Sequence, residues 1–362
     1  MPHELSISAN GDAEMMYVGR TPWHGLGTQL ESEVTAKEAI EAARMNYQVE
    51  QQTIFRQNPT TGLLTEYPDR YAVVRTDTDV PFDIVSGQYE IVQNEDHFTF
   101  FDEIIGQGQA VYHTAGALRG GRIIWILVKL PETIELIPGD PIEQYILMSS
   151  SHDRSKSLEI AITPIRVVCA NTLRVGMSAA KNIVQIRHTQ SIHSRAVEAR
   201  QALGLTDAYH QLMMESLGVL ANTPMSPTSM AEYATAFLNV NPDREELHAF
   251  SQDARERLCE LFEVGRGQDI PGVANTAYAA FNATTEFLDN YKRVQVASES
   301  GQHSPDAQDR RLYRSWFGRG QSQRDRSFNL LQNFARTGPS AFEGVYAPRE
   351  RRRRPRVQVI GG

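Results

Sequence analysis

The chain has 362 residues, enough for two compact domains that each bury a core of their own. Its apolar fraction of 41% and charged fraction of 22% are ordinary for a globular protein, and no apolar run approaches the roughly 20 residues of a membrane helix. The start of the sequence lacks the pattern of a signal peptide, and two cysteines, Cys169 and Cys259, form neither a disulfide framework nor a zinc knuckle. These features exclude a membrane-spanning or disulfide-stabilised class and predict a cytoplasmic protein.

The net charge of −8 is distributed unevenly along the chain. Residues 1–110 carry 6 basic and 18 acidic side chains, and residues 201–300 carry 6 and 14. Residues 111–200 carry 11 basic and 7 acidic side chains, and residues 301–362 carry 13 and 5. Because charges farther apart than roughly 8 Å are largely screened at physiological salt, an anionic partner is expected at the central segment or at the C-terminal one.

The first third of the chain is predicted to mix helices and strands. Residues 35–38, Thr-Ala-Lys-Glu, form a capping box that opens a helix running to about residue 45. Residues 58–62 predict a turn between extended segments, and residues 71–75 predict a short strand. Asn94 is placed to cap a second helix whose first turn is acidic.

The central segment is predicted to contain three strands followed by a helix. Residues 123–129 are a continuous apolar run with a β-branched start, which indicates a buried strand. Residues 145–151 and 157–163 flank the polar connection 152–156 and indicate a hairpin with a basic tip. The Thr-Pro pair at residues 163–164 then predicts a helix N-terminus, because proline is favoured at the first helical position. A further extended piece closes this domain near residue 190.

The remainder of the chain has a helical pattern, for which a bundle or hairpin array is expected. Helices are predicted near residues 191–203, 206–221, 228–238, 243–264 and 272–296. The fold class is therefore α+β: a strand-strand-strand-helix core sheet domain, a helical domain and a disordered basic tail. The predicted boundaries are 1–190 for the α+β core domain, 191–297 for the helical domain, 298–335 for a linker with an aromatic and basic docking segment, and 336–362 for the Arg-rich tail.

Five segments carry a resemblance to a known family. They are WHGLG at 23–27, YEIVQN at 89–94, GALRGGR at 116–122, SHDRS at 151–155 and TPIRVVCANTL at 163–173. In this order they resemble the phage/plasmid-like protein family of unknown function, which recurs in prophages, plasmids and tailed phages, and the resemblance covers roughly residues 15–290. It implies a mobile-element origin, and the host cytoplasm if a phage encodes the chain. The strand order is also similar to the core of phage single-strand annealing proteins of the RecT and Erf type, which form rings or filaments without ATP.

Strand binding requires a positive groove that follows the phosphates, without a nucleophile or proton donor. The basic residues of the central segment are the candidates for contacts with single-stranded DNA: Arg119, Arg122, Lys129, Arg154, Lys156, Arg166, Arg174, Lys181 and Arg187. A solvated basic face, or ion pairs with the acidic N-terminal third, is the alternative use of these residues. The tail offers a second group of contacts, or else a solubilising terminus: Arg351, Arg352, Arg353 and Arg354.

The sequence predicts no catalytic residue, metal site or cofactor. Its histidines lack the i, i+4 spacing of a helical metal pair, and Asp153 is explained by a side-chain hydrogen bond within its turn. Gly116, Gly120 and Gly121 precede a strand, whereas a phosphate-binding glycine loop precedes a helix. We therefore expect a nucleic-acid-binding protein, in its sharper form a homo-oligomeric, ATP-independent single-strand annealing protein of DNA recombination. The alternatives are a protein-interaction or anti-host regulatory module and a metal-dependent nuclease.

Overall fold

The computed structural model describes residues 5–8, 10–19, 26–31, 34–105, 111–166, 171–172, 183–186, 206–239, 249–291, 319–343 and 345. The strands are β1 Met15–Val18, β2 Thr28–Leu30, β3 Val49–Gln57, β4 Leu64–Arg75, β5 Val80–Val85, β6 Val111–Leu118, β7 Ile123–Glu135, β8 Pro141–Ser151, β9 Leu158–Arg166, β10 Asn171–Thr172 and β11 Ile183–Ile186. The α-helices are α1 Ala36–Ala42, α2 Asn94–Ile105, α3 Thr206–Ala221, α4 Pro227–Leu238, α5 Ala249–Val264, α6 Ala277–Glu286 and α7 Arg319–Thr337. The chain is thus α+β, as its sequence pattern predicts.

An eight-stranded sheet forms the centre of the N-terminal half, with the order β10-β9-β8-β7-β6-β1-β2 and β11 also paired with β9. Strands β6 to β9 are an antiparallel meander. Alternate residues of β7 enter two different apolar clusters: Ile124, Ile126 and Val128 face one, and Trp125 and Leu127 face the other. Because β7 is buried on both faces, its sequence is a continuous apolar run rather than an alternating one.

Helices α1 and α2 cover one face of this sheet, where Ile40, Phe98 and Phe101 share a cluster with β7. The predicted capping box of α1 is confirmed, since the Thr35 hydroxyl accepts from the Glu38 amide at 3.3 Å and the Glu38 carboxylate accepts from the Thr35 amide at 2.9 Å. The hydrogen bonds from Thr35 hold the pKa of the Glu38 carboxyl below its usual value. Local sequence rules therefore position α1 before any tertiary contact forms.

A separate three-stranded antiparallel sheet has the order β3-β4-β5. Its base packs through Val49, Val73 and Phe82, and its far end is the long β3–β4 hairpin. We call residues 52–70 of this hairpin the arm. The predicted turn at 58–62 closes it, where the Asn58 side chain accepts from the amides of Thr60 and Thr61 at 2.9 and 3.1 Å.

The helix predicted from the Thr-Pro pair at 163–164 is wrong, because both residues continue strand β9. Pro164 lies opposite Gln144 of β8, and Ile165 and Arg166 pair with β10. One edge of β9 pairs with β8, and the opposite edge pairs with β11 only along residues 158–161. Within the described chain, Pro164 therefore has no partner on that opposite edge. A proline is tolerated there because that edge needs no ladder N–H, and the long antiparallel pairing with β8 overrides the local helix signal.

The helices of the C-terminal half pack around α6, whose residues are all buried. Predicted helices at 206–221, 228–238 and 243–264 match α3, α4 and α5, and the segment predicted at 272–296 contains α6 and a π-helical turn, Phe287–Tyr291. The Tyr233 hydroxyl links three helices through hydrogen bonds to Thr284 at 2.8 Å and Ser327 at 2.6 Å. This cluster extends onto the sheet through Ile137, Ile142 and Ile162.

Helix α7 differs from the predicted linker at 298–335. Phe328, Leu331 and Phe334 enter the same buried cluster as α6, and the 3-10 turn Gly338–Phe342 adds Phe342. The polar composition of α7 conceals this role, because three apolar side chains at helical spacing are enough to anchor one face. The helical core therefore does not end at residue 297.

Several predictions fall outside the described residues: the helix at 191–203, the aromatic segment at 313–317, Cys169 and residues 344 and 346–362 of the Arg-rich tail. The start of that predicted tail is described, and it completes α7 and the 3-10 turn Gly338–Phe342 instead of being disordered. Within the described ranges, no helix is both long and apolar enough to cross a membrane.

Replacing Phe334 tests whether α7 belongs to the core. Phe334→Ala is expected to lower the free energy of unfolding by about 3–5 kcal/mol, because it leaves a cavity in the buried cluster. Arg336→Ala, an exposed substitution two residues away, is the control and should stay within about 0.5 kcal/mol of the unaltered chain in urea denaturation. Equal, small losses for both variants would show that α7 is not a core helix.

Candidate functional site at the junction of the two sheets

A buried arginine joins the three-stranded sheet to the large sheet. The Arg75 side chain is 4% exposed, and its guanidinium forms a two-pronged ion pair with Glu14 at 2.5 and 2.9 Å. It also contacts Asp77 at 2.6 Å and lies 3.7 Å from the centre of the Tyr47 ring. The hydrogen bond from Arg75 lowers the pKa of the Asp77 carboxyl. A buried guanidinium needs such partners, because an unpaired buried charge is very costly.

The tight turn before β7 is built onto this ion pair. Gly121 has φ +96°, and a Cβ there would lie 2.8 Å from Arg75 Nη1 and 2.9 Å from the Tyr47 hydroxyl. Tyr47 donates to the Gly121 carbonyl at 3.1 Å, and the Gly121 amide donates to the Ser6 hydroxyl at 2.7 Å. Only glycine fits this approach, and the turn places Arg119 and Arg122 at the end of the large sheet.

The β8–β9 hairpin tip lies beside this turn through His152. The His152 ring is buried, shares a 3.0 Å hydrogen bond with the Asn94 side chain and stacks on Phe82 with ring centres 6.1 Å apart. Asn94 in turn donates to the Met45 carbonyl at 2.8 Å. The Asp153 carboxylate accepts from the Ser155 amide at 3.0 Å, which confirms its predicted role within the turn. Three of the segments that carry the family resemblance, 89–94, 116–122 and 151–155, therefore meet at one place.

Four of the predicted basic residues lie at this end of the sheet. Arg122 donates to the Pro81 carbonyl at 2.9 Å and lies 5.2 Å from the Phe82 ring centre. Arg154 forms an ion pair with Asp83 at 2.6 Å. Arg119 is exposed, and Lys156 is largely buried and paired with Glu159 at 2.7 Å. We call Arg119, Arg122 and Arg154 the arginine corner.

The Arg154–Asp83 ion pair places one guanidinium against the acidic N-terminal third. Burial, the largest single effect, would raise the pKa of the Asp83 carboxyl, but the hydrogen bonds from Arg154 and the Ile84 amide, together with the charge of Arg154, outweigh it and the pKa is lowered. Such pairing is the alternative to nucleic-acid contact that the sequence left open. Both partners remain partly exposed, so the pair is weak enough for an anion to compete for Arg154.

The other predicted residues do not join this corner. Lys129 lies midway along β7, six residues from Ile123 and therefore roughly 20 Å away along the strand. Its ammonium pairs with Glu143, and the backbone of Arg166 lies nearby, opposite Ile142. Arg174, Lys181, Arg187 and the tail arginines Arg351, Arg352, Arg353 and Arg354 lie outside the described residues. The described basic residues thus form two groups rather than one continuous track.

Lys129 belongs to a polar cluster with Glu143, Tyr145 and His113. The Tyr145 hydroxyl donates to Glu143 at 2.6 Å, and its ring contacts His113 with centres 5.1 Å apart. Burial lowers the pKa of His113, although the Glu143 carboxylate partly opposes this effect. Within the described ranges, no three His, Cys, Asp or Glu side chains come together as metal ligands.

The residues that support the corner were not predicted from the sequence: Glu14, Arg75, Phe82, Asp83, and Asn94 as the partner of a histidine. Each looks ordinary in its own segment. The five segments that carry the family resemblance were the one signal near them, and the resemblance alone does not indicate that these segments contact one another.

The fold and the site define a class: an α+β protein whose two sheets are joined by a buried ion pair and present arginines at one corner. The chain belongs to the family defined by a domain of unknown function, DUF932, which matches residues 81–317. This membership confirms the predicted relation to an uncharacterised family. No curated protein and no solved structure matches the chain.

Removing the buried guanidinium tests the joint between the sheets. Arg75→Met is expected to lower the free energy of unfolding by about 3–5 kcal/mol, because it leaves the Glu14 carboxylate buried without its counter-ion. Arg70→Met, which removes an exposed arginine from the arm, is the control and should change stability by less than about 0.5 kcal/mol. Urea denaturation of both variants measures these free energies of unfolding. A loss of stability in Arg75→Met as small as that in Arg70→Met would contradict the role of the ion pair.

The depressed pKa of His113 predicts a pH dependence. In the unfolded chain a histidine titrates near its ordinary value of 6.5, while the folded protein binds that proton only at lower pH. Stability from His113 is therefore complete above pH 6.5 and declines as the pH falls below it. His113→Gln should show a smaller loss of unfolding free energy between pH 7.5 and pH 5.5 than the unaltered chain. Equal losses in the two proteins would refute this assignment.

Proposed function

We propose that the protein binds single-stranded nucleic acid through the arginine corner, and that it does so in the cytoplasm as an oligomeric, ATP-independent strand-annealing protein. The observation that supports the proposal is the convergence of two connections, the turn before β7 and the β8–β9 tip, which bring Arg122 and Arg154 onto Pro81 and Asp83 of β5. Binding of this kind requires only positioned positive charge and accessible bases.

Arg122 is the strongest phosphate candidate of the corner. Its hydrogen bonds go to the carbonyl oxygens of Arg119 and Pro81, and within the described chain it has no carboxylate at ion-pair distance. The guanidinium is thus held in place while its charge remains uncompensated by a neighbouring acid. A planar guanidinium of this kind suits two-pronged contact with phosphate oxygens.

Few phosphates can be neutralised by one corner. Two or three contacts correspond to a salt-dependence slope of about 1.4–2.1 on a single strand. The intrinsic affinity of one subunit is then low, and repetition of the corner along an oligomer would raise it through multivalency. The proposed strand binding therefore depends on the proposed oligomer.

Direct titration tests the proposal. Fluorescence anisotropy with a labelled oligothymidine strand and with a duplex, at several salt concentrations, should give tighter binding to the single strand. Arg154→Glu is expected to weaken single-strand binding about tenfold or more, and Arg122→Gln to reduce the salt slope by about 0.7. Asp83→Asn frees Arg154 from its internal counter-ion and should strengthen binding.

Two controls separate the corner from other basic segments. Arg336→Glu, an exposed charge reversal on α7, should leave binding unchanged. A chain ending after Val345 keeps the buried Phe342 and removes the tail arginines. If this truncated chain loses all single-strand binding, or if Arg154→Glu and Asp83→Asn behave alike, the corner is not the binding site.

One alternative has support from a specific observation. Four large apolar side chains on the arm are 49% to 66% exposed: Phe55, Leu63, Leu64 and Tyr67. Exposed apolar surface of this kind indicates a protein partner. A metal-dependent nuclease gains no comparable support within the described residues.

A further inference from the structure

The arm projects from the three-stranded sheet as a two-stranded ribbon. Strand β5 pairs with β4 only along residues 71–75, so the outer part of β4 pairs with β3 alone. Apolar side chains are exposed along this ribbon, including Phe55 at 55% and Leu64 at 62%. An isolated hairpin is marginally stable in water, so a second layer or a further strand would be needed to hold it.

The two edges of the arm differ in their protection. The β4 edge carries Pro68 and a large bulge. Glu66 pairs with Phe55 and Tyr71 pairs with Thr53, so residues 67–70 of β4 lie opposite a single residue of β3, Ile54. Prolines and bulges are the devices by which proteins block unwanted strand pairing. The β3 edge has neither of them between Gln51 and Gln57. It is therefore the edge that remains open to another strand.

The open stretch of the β3 edge begins at Gln51. The Gln93 side chain caps both backbone groups of Val49, donating to its carbonyl at 2.8 Å and accepting from its amide at 3.0 Å. Backbone groups alternate along a strand, so those of Gln51, Thr53 and Phe55 point to the same edge as those of Val49. Among the described residues the backbone groups of these three have no hydrogen-bond partner on that side, while the Gln51 side chain donates to the Tyr89 carbonyl at 2.6 Å.

The charged residues of β3 indicate that the strand pairing with this edge is a second copy of β3. Glu50 and Arg56 are both exposed, neither forms an ion pair within the described chain, and they lie symmetrically about Thr53. If a second copy of β3 pairs antiparallel with the first about a two-fold axis at Thr53, Glu50 lies opposite Arg56 of the partner subunit. The symmetry produces the same pair a second time, with the roles of the two subunits exchanged. The same arrangement also pairs Gln51 with Phe55 of the partner subunit and ends where Gln93 caps Val49.

We infer that two copies of this chain associate through the β3 edges of their arms, with a two-fold axis at Thr53, to form one six-stranded sheet. Identical surfaces related by a two-fold axis give a closed dimer. The backbone hydrogen bonds supply affinity, and the two Glu50–Arg56 pairs fix the register. This inference does not depend on nucleic-acid binding by the arginine corner.

Disulfide trapping tests the register on the full chain. In the two-fold arrangement the two Thr53 Cα atoms lie about 5.5 Å apart, within the range of about 4.4–6.8 Å that a disulfide spans. Thr53→Cys should therefore form a covalent dimer under mild oxidation, seen on non-reducing gels. Gln57→Cys faces Val49 of the partner subunit and should not, and the unaltered chain controls for Cys169 and Cys259. Equal trapping at both positions would overturn the register.

Charge exchange tests the pairing without a covalent bond. Analytical ultracentrifugation over a concentration series should show a monomer–dimer equilibrium whose dissociation constant rises roughly tenfold or more in Arg56→Glu. The double variant Glu50→Arg/Arg56→Glu restores both pairs and should return it to near the original value. Arg70→Glu, the same charge change on the β4 side of the arm, is the matched control. A monomer at all concentrations, or a double variant no better than the single one, would refute the inference.

Discussion

The burial of the Arg75 guanidinium constrains the whole N-terminal half. A charge that is almost fully removed from water must be neutralised in place, and Glu14, Asp77 and the Tyr47 ring come from three separate stretches of chain to do so. Gly121 is required because the turn before β7 passes against that guanidinium. This buried ion pair is one of the contacts that hold the small sheet against the large one, and with it the arginine corner in place.

The proposed binding site lies where the two sheets meet rather than within either of them. The buried contacts of His152 with Asn94 and Phe82 hold the β8–β9 tip against β5, so that Arg154 and Arg122 project from a rigid base. A rigid base matters because long, flexible side chains lose conformational freedom when they bind. Asp83 partly neutralises the positive charge of the corner, and in the proposed function a phosphate would compete with this carboxylate for Arg154.

The arm belongs to the small sheet, and the corner, which the large sheet supplies, contacts the same small sheet at β5. A weak single-strand site is useful when it is repeated, and an unprotected strand edge is one way for a chain to repeat it. In the proposed function, assembly through the arms would therefore raise the affinity of the corner for a strand.

Local patterns in the sequence determined much of the fold: the Thr35 capping box, the apolar run of β7, the β8–β9 hairpin and helices α3 to α5 all follow from short-range rules. They failed where tertiary pairing overrides local preference, as at Pro164 in β9, and where a few apolar residues anchor a polar helix, as at Phe334 in α7. The basic residues were identifiable from the sequence, but their grouping was not. Whether Arg154 meets Asp83 or Lys129 meets Glu143 depends on which distant strands lie side by side, and charge partners separated by many residues leave no periodic signal in the chain.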